Sequence, residues 1–535
     1  MKKILFCAAL LLHSAPAALR AAETPPLWVY YSANLWVDKN IDILEARMKA
    51  AAEAGYSAFV IGDSKFGKLG EMDRHYFDNI ERVKRCAAEN KLEIIPMLYF
   101  VGWSESHLWH DPNLAEGLPV KDAEFVVRNN IAQLETEPIA LDKWNYHDAN
   151  MIPSEGNGFA CKDPDRQNAR FNKRIRVKPF RQYHVSVDIK TDAFRGTPEI
   201  KPLTLDTTRA LSHADLGVKP TQDWQTHHIV FNSFENTEII LYFGVWDGTT
   251  GAIQWRNPRI EETAFVNLLR RDGAPLLVAD EQGAPLVEGR DFEPLSDPRS
   301  GTVPWNGSFE VWHEPPQLKT KNLPDGARLK VSFHHAVVIY SGSVMICLSD
   351  PKTDDILRDH ARRVHAAWGA KKYFMTHDEI RALNWDKACQ DRNLSAGEIL
   401  ADNVAKCIGW LRESAPDAEI CVWGDMFDPH HNARKDYYFV RGDLAGSWEG
   451  LDSKIIAVPW AVELAEKSAQ WFAGRGMRMV LAGYYDAPPS HSAPWREIAK
   501  KFPGIEAIMY TTWEDNYRDM KAFAEEMAKD SERGE

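Results

Sequence analysis

What this 535-residue sequence lacks excludes several classes of protein. It holds seven cysteines, and none forms a C-x-x-C pair or stands with histidines at zinc-finger spacing. This argues against a structural zinc site and against a catalytic cysteine. Positive charge is also scarce: 64 Lys and Arg against 77 Asp and Glu give a net charge of −13, which disfavours nucleic acid as a partner. No G-x-x-x-x-G-K-[S/T] loop is present to cradle a nucleotide cofactor.

Long apolar runs are missing as well. Beyond the N-terminus, no run approaches the roughly 18 apolar residues of a membrane-spanning helix, so we predict no membrane span. The first 22 residues combine Lys2 and Lys3 with a short apolar run and small residues, the pattern of a secretory signal peptide. Cys7 follows the bulky Phe6, so we predict no lipid anchor. We therefore expect an exported protein, periplasmic or extracellular after cleavage. Its six remaining cysteines are expected to be buried thiols, of which one or two pairs could form disulfides, and the sequence does not give the pairing.

Aromatic residues are abundant. The chain has 19 Trp, 16 Tyr and 23 Phe, within an otherwise ordinary globular composition of 44% hydrophobic and 26% charged residues. Trp outnumbers Met, of which there are 13. Because Trp offers a large rigid face with one polar group, this excess indicates a recognition surface in addition to a core.

Two stretches alternate strand-like and helix-like segments, the pattern of a parallel α/β fold. The first predicts strands at about 27–32, 57–61 and 92–100, with helices at 41–54 and 76–90. The second predicts strands at 372–376, 419–423, 454–459, 478–484 and 505–511, with helix-like segments between them. One of those helices begins at a capping box formed by Ser395 and Glu398. Eight strands close a (β/α)₈ TIM barrel, so the predicted fold class is an α/β TIM barrel interrupted after its third strand.

The interruption has a different pattern. Residues 182–190 and 238–246 alternate with period two, glycine and proline are frequent, and helical periodicity is scarce, which predicts an antiparallel β-sandwich. Residues 329–335 are assigned to this insertion and not to a ninth barrel strand. The predicted division is a signal peptide at 1–22, barrel at 23–138, inserted β-sandwich and β-rich connection at 139–345, and barrel at 346–535.

Carboxylates and aromatic residues follow the predicted strands of the second stretch. In a parallel barrel the active site lies at the C-terminal ends of the strands, so these side chains are expected to converge. Aromatic faces suit the C–H surface of a sugar ring, and carboxylates suit its hydroxyls and the acid–base chemistry of glycosidic cleavage. Taken singly, the same residues also suit helix caps, loop pairs and barrel packing. The residues in question are His377, Asp378, Glu379, Trp423, Asp425, Trp460, Tyr484, Tyr485, Asp486, Trp513 and Glu514.

The order of these motifs resembles glycoside hydrolase family 20, the β-N-acetylhexosaminidases. The likeness lies in Asp-Glu after strand four, Trp-x-Asp after strand five, Tyr-x-Asp after strand seven and Trp-Glu after strand eight. It implies that Glu379 is the general acid/base, that Asp378 orients the acetamido nitrogen, and that Tyr484 hydrogen-bonds the acetamido oxygen. These three are the predicted catalytic residues.

The remaining strand-end residues are predicted to bind substrate. By the same resemblance Trp423, Trp460 and Trp513 wall the pocket and Glu514 binds outer hydroxyls. His377, Asp425, Tyr485 and Asp486 complete this set, with a structural hydrogen bond as the alternative role of His377.

The chain also departs from the family pattern. Thr376 and His377 stand where the family has Gly-Gly, and the first strand carries no arginine. Asp63, Trp103 and His107 are weak candidates to replace it. Glu379 is expected to be protonated at rest, with its pKa raised by the adjacent Asp378 charge.

The insertion resembles a jelly-roll carbohydrate-binding module. The likeness lies in residues 224–231, 236–246 and the segment Gly-Ala-Ile-Gln-Trp at 251–255. Trp246 and Trp255 are the candidate sugar-stacking residues, with core packing as the alternative for at least one. A purely structural sandwich is the other interpretation.

We therefore predict an exported retaining exo-β-N-acetylhexosaminidase that removes terminal GlcNAc or GalNAc from a glycan substrate by substrate assistance. The first alternative keeps the barrel but uses an enzyme carboxylate, such as Glu514, as nucleophile on a sugar without an acetamido group. The second is a non-catalytic glycan-binding protein. Neither hydrolytic mechanism requires a metal or another cofactor.

Overall fold

The computed structural model describes residues 25–162, 167–248 and 250–529. The predicted signal peptide at residues 1–22 lies outside this range. Across these described residues, no helix combines the length and apolarity that crossing a membrane requires.

Eight parallel strands form a closed barrel, three before the insertion and five after it. In chain order the strands are Leu27–Ser32, Tyr56–Gly62, Glu93–Leu98, Lys372–Met375, Glu419–Trp423, Ile456–Val458, Arg478–Tyr484 and Ile505–Thr511. The predicted TIM barrel, split after its third strand, is confirmed.

Helices surround the barrel, and only the connection after the fifth strand has no α-helix among the described residues. The longer ones are Asp38–Glu53, Arg74–Glu89, Pro351–Trp368, Ala396–Ser414, Ala465–Gly474, Ala493–Lys501 and Met520–Met527, and two short ones are Glu105–Leu108 and Lys387–Gln390. The predicted capping box is confirmed: Ser395 Oγ accepts the Glu398 N–H at 3.2 Å and the Glu398 carboxylate accepts the Ser395 N–H at 2.8 Å.

The segment after the fifth strand corrects the sequence prediction. A helix-like segment is expected there, but the described chain has only 3₁₀ turns at Asp425–Phe427 and Ser447–Gly450 and a short strand, Phe439–Val440. Residues 424–446 hold three Gly, four Asp, one Asn and one Pro, which favour turns over helix.

Side chains alternate along the barrel strands between the barrel interior and the surrounding helices. In the seventh strand Val480 and Ala482 lie in the interior cluster, whereas Met479 and Leu481 pack outward. Because side chains alternate with a period of two residues, those just beyond each strand continue the same alternation wherever the backbone stays extended.

The insertion contains two antiparallel sheets that pack face to face as a sandwich. The first sheet comprises Gln222–Asn232, Gln182–Arg195, Thr250–Thr263, Gly158–Lys162 and Ile152–Ser154; the second comprises Pro198–Leu203, Glu238–Gly248, Gln167–Arg176 and Tyr146–His147. Trp255 of the first sheet contacts Phe171 and Phe243 of the second, with ring centroids 6.1 and 6.4 Å apart.

A third antiparallel sheet connects the sandwich with the barrel. Its strands are Leu277–Asp280, Arg328–His335, Leu118–Arg128, Ile131–Leu134 and Leu318–Lys319. Arg328–His335 thus lies outside the barrel, as predicted. The hairpin turn at Asn129 and Asn130, both with positive φ, joins two of these strands, so the β structure starts well before the predicted boundary at residue 139.

Candidate active site

A cavity of 780 Å³ opens at the C-terminal ends of the barrel strands. Its lining includes a hydroxyl or carboxyl group from several strand ends, together with four tryptophans. The lining residues are Tyr30, Ser32, Asp63, Ser64, Phe100, Trp103, Glu105, Ser106, Ser341, Thr376, Asp378, Glu379, Trp423, Trp460 and Trp513. This volume falls within the range of roughly 300–1,000 Å³ that is typical of small-molecule sites.

Asp378 and Glu379 enter the cavity from the loop after the fourth strand. Thr376 and Asp378 continue the inward alternation of Phe374. Glu379 has a left-handed backbone, with φ of +52°, which is strained for a residue with a side chain. Its N–H donates to Asp425 Oδ2 at 3.0 Å, and Asn432 Nδ2 donates to the same oxygen at 2.9 Å. Asp425 thus fixes the backbone that aims Glu379 at the cavity.

The Glu379 carboxylate pairs with Arg381, with Nη2 and Oε2 2.5 Å apart. Only 4% of Arg381 is exposed, and its guanidinium lies 5.0 Å from the Trp103 ring centroid and 4.9 Å from that of Tyr340. Burial raises the pKa of Glu379, and although Arg381 opposes this and Asp425 adds to it, the net direction is upward. The direction agrees with the sequence expectation, but burial is the main cause and Asp425 is the charge that adds to it, where Asp378 was expected.

Burial also raises the pKa of Asp378 well above its ordinary value, and the charges of Asp425 and Glu379 raise it further. Neighbouring carboxyls in a poorly hydrated site resist ionising together. The pair therefore retains a proton to a higher pH than either carboxyl would alone, which is the property required of a general acid.

Tryptophans wall the cavity. Trp423 is buried against Phe374, whereas Trp513 and Trp103 are 60% and 37% exposed at the mouth. Such large exposed apolar rings around a cavity mark a binding surface. The structure thus brings Trp423, Trp460 and Trp513 together with the carboxylates, as the sequence prediction requires.

Tyr484 does not reach the cavity. Its hydroxyl donates to Asp519 Oδ2 at 2.6 Å and accepts from Asn516 Nδ2 at 2.7 Å, and its ring stacks on Tyr510 outside the barrel. The cause is the left-handed backbone at Tyr484, Tyr485 and Asp486, with φ of +80°, +48° and +60°, which breaks the alternation.

Tyr485 takes the inward position instead. Its ring centroid lies 6.2 Å from those of both Trp460 and Trp513. Its hydroxyl is buried beside the Thr511 hydroxyl. Burial raises the pKa of the Tyr485 hydroxyl, and although the Thr511 neighbour lowers it, the charges of Asp425 and Asp378 add to the increase. Tyr485 therefore lies behind the wall that Trp460 and Trp513 form and is not itself among the residues that line the cavity.

Four other predicted binding residues do not line the cavity, and one of them is Asp425, which holds the Glu379 backbone. His377 is buried behind the strand, where its Nε2 lies 3.3 Å from Asn403 Oδ1, and burial lowers its pKa to about 3. Asp486 accepts the N–H groups of Trp513 and Glu514 at 2.8 and 3.2 Å, and so supports the Trp513 loop. Glu514 points to a surface depression beside the helix Asp38–Glu53. These are corrections to the sequence prediction.

The weaker candidates behave differently from one another. Trp103 lines the cavity. Asp63 also reaches it, but Leu35 N–H and the Tyr76 hydroxyl occupy its Oδ2 at 2.7 and 2.8 Å. His107 is buried against His360, with their ring nitrogens 2.9 Å apart.

In the sandwich, Trp255 is a fully buried core residue, whereas Trp246 is half-buried beside Lys201.

Sequence reasoning did not identify Tyr30 and Arg381. Tyr30 continues the inward alternation of Trp28 in the first strand, so its strand parity is a usable signal. Arg381 carries no such signal, because the aromatic rings that enclose it come from segments remote in sequence.

No family model and no curated protein matches the chain. Among solved structures, a glycoside hydrolase family 20 β-N-acetylglucosaminidase is 8% identical, with 95% of this chain and 70% of that chain covered and a TM-score of 0.36. A rhamnosidase from Novosphingobium sp. PP1Y is 12% identical, with 91% of this chain and 55% of that chain covered and a TM-score of 0.32. This chain therefore spans about half the length of the rhamnosidase. A family 16 carbohydrate-binding module is 13% identical, with 21% of this chain and 82% of that chain covered and a TM-score of 0.17. The neighbours thus include glycoside hydrolases at low identity, and at these TM-scores the function has to be inferred from the cavity itself.

Proposed function

We propose that this protein is a glycosidase that removes a terminal β-linked N-acetylhexosamine, GlcNAc or GalNAc, with retention and by substrate assistance. The observation that carries the proposal is the adjacent pair Asp378 and Glu379, both with raised pKa, in a cavity walled by tryptophans. We also propose, from the N-terminal pattern, that the protein acts after export.

Each residue of the pair has a role in the proposed reaction. The acetamido oxygen attacks the anomeric carbon while the glycosidic C–O bond breaks and Glu379 gives its proton to the leaving oxygen. Water then attacks the anomeric carbon, the C–O bond that closes the oxazolinium ring breaks to restore the acetamido group, and Glu379 takes the proton of that water. Asp378 accepts the acetamido N–H and stabilises the positive charge that develops there.

The proton that Asp378 and Glu379 share is consistent with these two different roles. Accepting a hydrogen bond from an amide N–H favours the ionised form of a carboxyl. A bound acetamido group would therefore favour ionised Asp378 and leave the proton on Glu379. Tyr485 would donate its hydroxyl to the acetamido oxygen, the role that the sequence predicts for Tyr484.

The cavity walls favour a neutral sugar. The described lining residues include carboxylates and no Lys or Arg, which disfavours an anionic ligand. Trp513 and Trp103 offer flat apolar faces at the mouth, and Trp423 and Trp460 enclose the interior.

The position of Glu514 bears on the alternative mechanism. A carboxylate nucleophile must lie close to the acid, at about 5–5.5 Å in retaining enzymes. Glu514 faces the depression beside the helix Asp38–Glu53 and not the cavity. This removes Glu514 as the nucleophile of the alternative mechanism, although Asp63 and Glu105 also line the cavity.

The experiment compares hydrolysis of aryl β-GlcNAc and β-GalNAc with that of β-glucoside, β-galactoside and α-rhamnoside. Wild type is assayed beside Glu379→Gln and Asp378→Asn, with Glu89→Gln on an exposed helix surface as matched control. We expect hydrolysis of an acetamido sugar only, reduced about 10²- to 10⁴-fold by Glu379→Gln and unchanged in the control.

Two results would overturn the proposal. Hydrolysis of a sugar without an acetamido group, at equal or higher kcat/KM, would favour an enzyme nucleophile. Binding of glycans without turnover of any aryl glycoside would favour the non-catalytic alternative.

A further inference from the structure

A second group of reactive side chains lies outside the cavity. Glu116, Cys347, Asp386 and Cys389 are all buried, with at most 1% exposed. One potential ligand atom from each lies within 4.8 Å of the others. Two thiols and two carboxyls packed together in a dry interior are costly unless something compensates their charge or holds their protons.

The distances in this cluster match a tetrahedral metal site. The two Sγ atoms are 3.7 Å apart, Cys347 Sγ lies 3.6 Å from Asp386 Oδ1, and Cys389 Sγ lies 3.4 Å from Glu116 Oε2. With Zn–S near 2.3 Å and Zn–O of about 2.0–2.2 Å, a tetrahedron has S···S edges of about 3.8 Å and S···O edges of about 3.5 Å. A disulfide would require the sulfurs to be about 2.05 Å apart.

Charge around the cluster is only partly balanced. Arg271 pairs with Asp386 Oδ2 at 2.5 Å and with Asp350 at 3.0 Å. Glu116 Oε1 accepts the N–H of Trp385 at 2.7 Å, while its Oε2 faces Cys389. The two carboxyls and two thiols of the cluster thus face one guanidinium, which Asp350 shares.

We propose that Glu116, Cys347, Asp386 and Cys389 form a closed structural site for one Zn²⁺ ion. Thiolates select a borderline-soft ion over Mg²⁺ or Ca²⁺, and four protein ligands leave no open position for catalysis. Binding releases to solvent the two thiol protons and any proton that the Glu116 carboxyl holds. The site goes beyond the proposed function and does not depend on it.

The four ligands join three segments of the fold. Glu116 precedes the strand Leu118–Arg128, Cys347 precedes the helix Pro351–Trp368, and Asp386 and Cys389 follow the loop that carries Glu379 and Arg381. A metal here would fasten the base of the insertion to the loop of the catalytic pair.

This proposal reverses the sequence expectation of no zinc site. That expectation rests on the absence of paired cysteines close together in sequence. Here the ligands come singly, with Cys389 and Glu116 separated by 273 positions, and only the fold unites them.

The test is the metal content of the full chain purified without chelator from zinc-supplemented medium. We compare wild type with Cys347→Ser/Cys389→Ser and with Cys86→Ser, a cysteine on the helix Arg74–Glu89 outside the cluster. We expect one zinc per chain in wild type and in Cys86→Ser, and none in the double variant. Glu116→Gln, which preserves shape, should weaken zinc binding and is the second variant if the double variant does not fold.

Cobalt substitution supplies an independent readout. Wild type depleted of zinc and loaded with Co²⁺ should show thiolate-to-cobalt charge-transfer absorption that Cys347→Ser/Cys389→Ser lacks. Wild type with no zinc after loading, a different metal in its place, or a Cys347–Cys389 disulfide in non-reducing peptide maps would each overturn the proposal.

Discussion

The acidity of Glu379 depends on opposing neighbours. Burial and Asp425 raise its pKa, and Arg381 lowers it. In the proposed mechanism the protonated form is active, so the basic limb of kcat/KM against pH reports this acid, coupled to Asp378.

Replacement of Arg381 by methionine should move that limb. Loss of the positive charge destabilises ionised Glu379 and raises its pKa, so the acid stays protonated to a higher pH. We expect the basic limb to shift upward by about one pH unit or more. The measurement is the pH profile of Arg381→Met beside that of Arg358→Met, an exposed control. A downward shift, or an unchanged profile, would contradict this role of Arg381.

Tyr484 and Tyr485 make a matched pair one residue apart. Tyr485→Phe should lower kcat/KM about 10²- to 10³-fold, because one donor to the developing charge is lost, while stability changes little. Tyr484→Phe should instead lower the free energy of unfolding by about 0.5–1.5 kcal/mol, because the part-buried Asp519 and Asn516 lose a hydrogen-bond partner. Kinetics and urea unfolding of both variants separate the two roles, and the reverse pattern would restore the sequence assignment of Tyr484.

Strand parity explains which site residues the sequence can reveal. Asp378, Trp423, Trp460 and Trp513 continue the inward alternation of their strands, whereas His377 and Glu514 have the outward parity. Counting by two from the buried strand separates these groups, but it misplaces Glu379, which has the outward parity and reaches the cavity through its left-handed backbone. Tyr484 has the inward parity, and only the left-handed turn, invisible to such counting, reverses it.

At the scale of elements, the loops after the third and fourth strands touch at Gly102. A Cβ at this position would lie 1.9 Å from the carbonyl oxygen of Asp378, closer than any side chain tolerates. The absence of a side chain at residue 102 therefore permits the loop that carries Asp378 and Glu379 to take its observed path.

Gly102→Ala should displace that loop. We expect a large loss of kcat/KM with the barrel still folded by circular dichroism. Gly409→Ala is the control: the added Cβ meets nothing within 4 Å in the helix Ala396–Ser414, so activity should hold and stability should rise by up to about 1 kcal/mol. Full activity of Gly102→Ala would show that the loop contact does not position the pair.

Barrel strands and their neighbours were predictable because each is a short buried run flanked by turn residues. The segment after the fifth strand was not, since turn-forming residues replaced the expected helix there. Likewise the hairpin at Asn129 and Asn130 belongs to the third sheet, which forms only when Leu118–Arg128 meets Arg328–His335 across a long insertion.

At the scale of the whole molecule, the insertion contributes to the site. Ser341 lines the cavity and Tyr340 covers the Arg381 guanidinium, so the barrel and the chain that interrupts it build the pocket together. These contacts, and the Glu116–Cys389 cluster, join residues remote in sequence. Local patterns record strand order and parity, but they carry no information on such pairings.

The central claim is that the cavity recognises an acetamido sugar on its way to an oxazolinium ion. The most direct measurement is calorimetric titration of GlcNAc-thiazoline, a mimic of that ion, into wild type and Asp378→Asn, with GlcNAc as reference ligand. We predict binding at least about 100-fold tighter than that of GlcNAc in wild type, and loss of this advantage in Asp378→Asn. Affinity for the thiazoline equal to or weaker than that for GlcNAc would contradict the account.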